Sequence, residues 1–280
     1  MLRKSLQIVQ SLSLDVVLGA IISSLFVAKY LSVQLSVSHL LSLGIAIWLI
    51  YTIDHLADAR EIQYPATSAR HLLHQRHFRK IALAAVLLAL IGLYLLTYLA
   101  WSLILWGVIL SVFVVIYFAI VRLLQQSVFF HKELAIAVLY AIGIFLAPIH
   151  LYGTSLTGLP LILLGQYILL AFINVQIISW YECETDRKDG LTSYITVAGR
   201  KRGMQSITIS VWTLFGSIVV GISLAYQLDL HFLRVQYVIL TMGFTLQCII
   251  LFDSYFVRHR RYRYWADAVF SFPIVYLSIG

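Results

Sequence analysis

Nine apolar stretches, each close to the length of a bilayer crossing, occupy most of this 280-residue chain. They run over 14–35, 39–57, 81–100, 101–123, 134–152, 158–180, 207–227, 235–252 and 264–280. A hydrocarbon core of about 30 Å takes about 20 helical residues to cross. Lipid offers no partner for backbone N–H and C=O groups, so a spanning segment must satisfy them within itself, as a helix does. Charged residues make up 11% of the chain and hydrophobic ones 61%, whereas soluble domains carry about 25% charge. The expected fold is therefore all-α: a polytopic integral membrane protein of nine transmembrane helices, forming a single membrane domain over 1–280. Residues 81–123 are divided into two spans because one helix of that length would overshoot the bilayer. The basic start MLRK is followed by no cleavage pattern, so the first span reads as a retained helix. Cys183 and Cys248 imply neither a disulfide framework nor a zinc site.

The basic residues orient these spans. With nine crossings the segments between them alternate sides, and 18 of the 20 Lys and Arg fall on one side. They group as Arg3 and Lys4; Arg60 to Lys80; Arg122 and Lys132; Arg187 to Arg202; and Arg258 to Arg263, leaving Lys29 and Arg234 opposite. That asymmetry marks the crowded side as cytoplasmic. The N-terminus is then inside and the C-terminus outside. The net charge of +8 follows from this topology and calls for no nucleic-acid partner. Two long cytoplasmic segments, 58–80 and 181–206, follow the second and sixth spans, a spacing that suggests two related halves.

Half of the twelve acidic residues sit at those two points. Asp54 and Asp58 end the second span in YTIDHLADAR, and Glu182, Glu184, Asp186 and Asp189 end the sixth in SWYECETDRKDG. Asp54 and Asp58 are spaced i, i+4, as are Glu182 and Asp186, which puts each pair on one helical face with Cβ atoms about 6 Å apart. Like charges so placed repel, and the negative end of the helix dipole adds to the cost. A divalent cation offsets it: Mg²⁺ takes hard oxygen ligands, typically one or two carboxylates plus substrate phosphates. Arg60, Arg70, Arg187 and Lys188 stand beside the acids and suit a diphosphate. Asn174, the single asparagine, lies two turns before Glu182 on a similar face and joins them as a candidate. The alternative for all these groups is solvated interfacial charge paired with nearby arginines.

At these residues the chain resembles the UbiA superfamily of intramembrane prenyltransferases. That family's second motif, commonly D-x-E-x-D-R-x-x-G, is matched by Glu182-Cys-Glu184-Thr-Asp186-Arg187-Lys-Asp-Gly190. Its first, commonly N-D-x-x-D-x-x-x-D with a basic R-T-x-x-R tail, is matched by Asp54, Asp58, Thr67 and Arg70, while Ile50 and Tyr51 occupy the leading Asn-Asp positions. The motifs cover about residues 50–72 and 180–199. The resemblance implies a UbiA-like bundle and Mg²⁺-dependent transfer of a prenyl group from a polyprenyl diphosphate to an aromatic or other lipophilic acceptor. It also implies that Asp54, Asp58, Glu182 and Asp186 are catalytic metal ligands. Arg60, Arg70, Arg187, Lys188 and Asn174 then serve the diphosphate.

Other readings stay open. A degenerate relative could act as a prenyl-lipid-binding protein, a transporter or a terpene cyclase. His71, His74 and His77 in RHLLHQRH, with His55, invite a histidine-rich metal centre, although i, i+3, i+6 spacing spreads three rings around a helix. The bland reading of that segment is an interfacial helix on anionic lipid. Asp253 and Asp267 flank the Arg258–Arg263 run and read as its ion-pair partners, the run itself as a topology anchor.

Overall fold

A computed structural model describes residues 2–123, 132–153 and 158–278, with side chains from residue 7 onward except that of 122. The side chains of Arg3, Lys4 and Arg122, together with His131 and Gly280, lie outside the described residues. The regular structure of the described residues is all helix, without strands. In order they form α1 (Leu2–Ser11), α2 (Leu14–Tyr30), α3 (Val37–Glu61), α4 (Ala69–Arg76), α5 (Phe78–Leu96), α6 (Trp101–Leu123) and α7 (Lys132–Tyr152). There follow α8 (Leu159–Asp189), α9 (Tyr194–Ala198), α10 (Arg200–Leu228), α11 (Leu230–Leu251), α12 (Asp253–Val257), α13 (Arg261–Ala268) and α14 (Ile274–Ser278). Short 3₁₀ turns at Arg258–Arg260 and Val269–Ser271 flank α13.

Seven described helices are long and apolar enough to cross a membrane: α3, α5, α6, α7, α8, α10 and α11. The chain is thus an all-α, multi-pass membrane protein. The division of 81–123 into two spans is present as α5 and α6, separated by four residues. The first and last of the nine expected spans differ. Helix α2 has 17 residues, about 26 Å of rise. The stretch 264–280 is not one helix, because α13 ends at Ala268, a 3₁₀ turn follows, and Pro273 withholds an N–H just before α14.

Packing explains the extreme hydropathy. Half of the most apolar stretch of α8 is buried, against 6% in α5 and in α6. Leu83, Leu93, Trp101, Phe113 and Val115 are all more than half exposed on those outer helices. Such a surface is stable only against lipid. The central helix α8 packs on α7, α10 and α11. Between α8 and α11, the buried amides of Gln166 and Gln236 exchange hydrogen bonds of 2.7 and 3.0 Å, so that neither polar head faces hydrocarbon unsatisfied.

Helix ends follow local chemistry. Ser36 caps α3 in a reciprocal box with His39, and Ser68 caps α4 by accepting from the His71 N–H at 3.1 Å. Gly190 takes the left-handed conformation (φ 73°) that stops α8, letting Leu191 N–H bond back to the Asp186 carbonyl at 2.8 Å. The 31 residues of α8 rise about 46 Å, well beyond a hydrocarbon core, so its acidic end projects into the interface. The acids at the ends of the second and sixth spans lie on continuous helix, which runs through Glu61 in α3 and through Asp189 in α8.

Candidate functional site

Both acidic clusters line one cavity. Asp54 and Asp58 from α3 face Glu182 and Asp186 from α8, with Arg70 of α4, Lys132 and Glu133 of α7, and Asp267 of α13 on the same wall; its volume is about 220 Å³. Asn174 also lines it, but its amide is committed, donating to the Ala266 carbonyl at 2.6 Å. Arg60, Arg187 and Lys188 are exposed and stand off the cavity wall, and Arg187 pairs with Glu184 at 3.4 Å. Among the sequence candidates, then, four carboxylates, Arg70 and Asn174 come together, while three cations do not.

The ends of α3 and α8 are tied by the segments after them. The Thr67 N–H donates to Asp189 Oδ1 at 2.9 Å, and the Thr67 hydroxyl donates to the same oxygen. His71 lies between two acids, its Nε2 3.6 Å from Asp58 and its Nδ1 4.0 Å from Asp189. Burial pushes the His71 pKa down to about 4, and the Arg70 guanidinium pushes the same way against the pull of Asp189. The ring is thus neutral at pH 7, and these contacts are not ion pairs. His74, also lowered chiefly by burial, is anchored through Nδ1 to the Arg70 carbonyl at 2.9 Å. His77 is exposed.

His55, Asp58 and His71 bring one ligand atom each within 4.8 Å of one another. Nitrogen donors suit transition ions better than Mg²⁺. Against any cation there, Arg70 Nη1 lies 3.1 Å from His55 Nε2. Arginine can only donate, so that nitrogen accepts, and the ring's other nitrogen carries the proton. His55, His71 and His74 therefore form one buried wall beside the Arg70 guanidinium, at 4%, 8% and 1% exposure. Asp54, Asp58 and Asp186 offer hard carboxylate oxygens to the same cavity, while His55, Asp58 and His71 are, among the described residues, the group whose ligand atoms lie that close together.

Glu182 is differently placed. Its Oε1 accepts from Arg263 at 2.8 Å and from the Tyr262 hydroxyl at 3.2 Å, with the Arg263 and Glu182 side chains 8% and 14% exposed. Tyr262 stacks flat on Tyr181, ring centroids 4.3 Å apart. Arg263 thus serves the cavity rather than only anchoring topology, and Asp267, 8% exposed, lies on the cavity wall. Sequence reasoning missed Arg263, Asp267 and Glu133. The only sequence hint was the break that Pro273 imposes near the last span; Glu133, which holds the Tyr194 N–H at 2.7 Å, carried no motif at all.

A second cavity, about 280 Å³ and almost wholly apolar, lies between α3, α6 and α7. It shares Tyr51, Tyr117 and Ile136 with the acidic one, so charged and apolar spaces adjoin at those three side chains. Ile50 and Tyr51 line the apolar cavity. Comparison with known proteins returned no matching family model, no similar curated protein and no similar solved structure.

Proposed function

We propose that the protein is a UbiA-like prenyltransferase, which moves a prenyl group from a polyprenyl diphosphate to a lipophilic acceptor within the membrane. One observation carries this reading: carboxylates from two helices meet a guanidinium in a single interfacial cavity that adjoins an apolar one. An amphiphile with an anionic head and an isoprenoid tail has the matching polarity. Asp54, Asp58 and Asp186 would hold Mg²⁺, with Glu182 held back by Arg263. Bound there, the ion supplies neutralisation of diphosphate charge.

The chain's own residues do the rest. Arg70, which lines the same cavity as the carboxylates, would bind a phosphoryl oxygen as a charge-assisted donor. The allylic C–O bond breaks with its electron pair leaving on diphosphate. The acceptor's nucleophilic atom then bonds the allylic carbon and gives up its proton to a base of the cavity wall. Tyr51 and Tyr117, which line both cavities, would stabilise the allylic cation through their aromatic rings. The finer topology belongs to the same proposal: α2 and the broken 264–280 segment complete nine crossings in a UbiA-like bundle, N-terminus cytoplasmic and C-terminus opposite. Lys29, on the sparsely charged side, supports it by donating to the Tyr276 and Leu277 carbonyls at 3.0 and 3.2 Å.

A binding, transport or cyclase role on the same scaffold is favoured by the apolar Ile50 at the cavity wall and by the engagement of Glu182 with Arg263. Release of inorganic diphosphate separates the transferase from a binding or transport role, and a prenylated acceptor product separates it from a cyclase. Membranes containing the protein, supplied with geranylgeranyl diphosphate and Mg²⁺, should release it together with a prenylated lipid product. Asp54→Ala and Asp186→Ala should each lower the rate by about 10²-fold or more. Turnover unchanged in both variants refutes the assignment; binding without release supports the non-transferring role.

A further inference from the structure

We propose that the apolar cavity admits a tail of roughly fifteen to twenty carbons, three to four isoprene units, and that Gly107 and Gly143 are the residues that set this limit. The inference rests on the prenyl-diphosphate reading and sharpens its substrate class.

Three helices measure the same depth. From Tyr51, where the two cavities adjoin, to His39 is twelve residues of α3, about 18 Å. From Ile136 to Ala147 along α7 is about 16 Å, and from Tyr117 back to Leu103 along α6 about 21 Å. One leaflet of hydrocarbon is about 15 Å thick and is filled by lipid chains of roughly sixteen to eighteen carbons.

Two of the residues that line this space, Gly107 and Gly143, carry no side chain. A Cβ added at Gly107 would meet no heavy atom within 4 Å, and one at Gly143 only Leu110 Cδ2 at 4.0 Å. Gly203 and Gly221, by contrast, serve close packing: a Cβ there would come within 2.7 Å of Ile195 and 2.6 Å of Gln236. Gly107 and Gly143 have no such neighbour, and glycine weakens a helix interior relative to alanine. What they provide is room. They also lie at different depths. Gly143 is seven residues along α7 from Ile136, about 10 Å, and Gly107 is ten residues along α6 from Tyr117, about 15 Å.

Graded substitutions test this by binding, without the acceptor. Purified full-length protein in nanodiscs with Mg²⁺ is loaded with radiolabelled geranylgeranyl diphosphate and challenged with inorganic, geranyl, farnesyl, geranylgeranyl and decaprenyl diphosphates. For the parent chain, affinity should climb by about tenfold or more from geranyl to geranylgeranyl, then gain nothing at decaprenyl. Gly143→Phe should keep geranyl binding and lose farnesyl and geranylgeranyl by about tenfold or more. Gly107→Phe should lose geranylgeranyl alone. Gly216→Phe, at an equally open but exposed glycine of α10 away from the cavity, should match the parent. Retained geranyl binding shows that the variants fold. Affinity that climbs on to decaprenyl, or Phe variants that all behave like Gly216→Phe, overturns the limit while leaving the transferase reading intact. If no prenyl diphosphate displaces the label, or none binds, the parent reading falls and the limit with it.

Discussion

Replacing Arg263 by methionine probes the ion pair that ties α13 to α8 at the cavity wall. The guanidinium is 8% exposed and donates at 2.8 Å to Glu182, itself 14% exposed. Methionine keeps most of the apolar stem and removes the charge. Glu182 then retains only the Tyr262 hydroxyl at 3.2 Å and stays largely out of water. Breaking a buried pair from one side costs about 3–5 kcal/mol, because the remaining charge is left uncompensated. Water at the interface reaches Glu182, so the lower end, about 3 kcal/mol, applies here. At about 2.1 cal/mol/K of unfolding entropy per residue, that lowers Tm by about 5 °C for a chain of this length. Thermal unfolding of detergent-solubilised protein, followed by tryptophan fluorescence, measures it. The double variant with Glu182→Gln isolates the pair, and should recover about 1–3 kcal/mol relative to the sum of the single changes. If Arg263→Met shifts Tm by less than about 1 °C, or the two changes simply add, Glu182 is not held by Arg263. The account of why only three carboxylates are available to a cation would fail with it.

Two further outcomes follow from the same structure. His71 has a folded pKa of about 4 against 6.5 unfolded, so its burial is favourable above pH 6.5. Stability should therefore fall as pH drops from about 6.5 toward 4, by a few kcal/mol, and His71→Gln should flatten that limb of a Tm-versus-pH curve. A slope unchanged by the substitution would show that other groups cause it. Gly221→Ala puts a Cβ 2.6 Å from the Gln236 carboxamide oxygen, which two hydrogen bonds to Gln166 hold in place. A loss of about 1–3 kcal/mol is expected, largely relieved in the Gln236→Ala background; equal losses in both backgrounds would rule out this clash.

Much of the frame could be read from local chemistry. Each span announces itself by its own composition, because lipid imposes the same requirement on every stretch of backbone that crosses it. The division of 81–123 between 100 and 101 is present as the gap between α5 and α6. Asp54, Asp58 and Asp186 were visible because i, i+4 spacing is a local relation and acids are scarce in an apolar chain. Arg60, Arg187 and Lys188 looked equivalent to Arg70 by the same test. Only Arg70 lines the cavity, because Ser68 and the capped helix α4 turn it inward beside His55, whereas the other three sit on exposed faces. Arg263 and Asp267 were read as topology and its counter-charge; a broken helix directs them inward, and no periodicity survives such a break.

Sequence alone thus determined the solvent: an all-α chain whose apolar faces require lipid and whose scarce acids gather at two helix ends. Those are properties of single helices, set by backbone hydrogen bonding and the i, i+4 geometry. The tertiary structure decided which charges meet, that Glu182 is shared with Arg263, and how deep the apolar cavity runs. Such features depend on side chains from α3, α6, α7, α8 and α13 arriving at one place. A distance between helices is set by the residues packed between them, and no one segment carries that information.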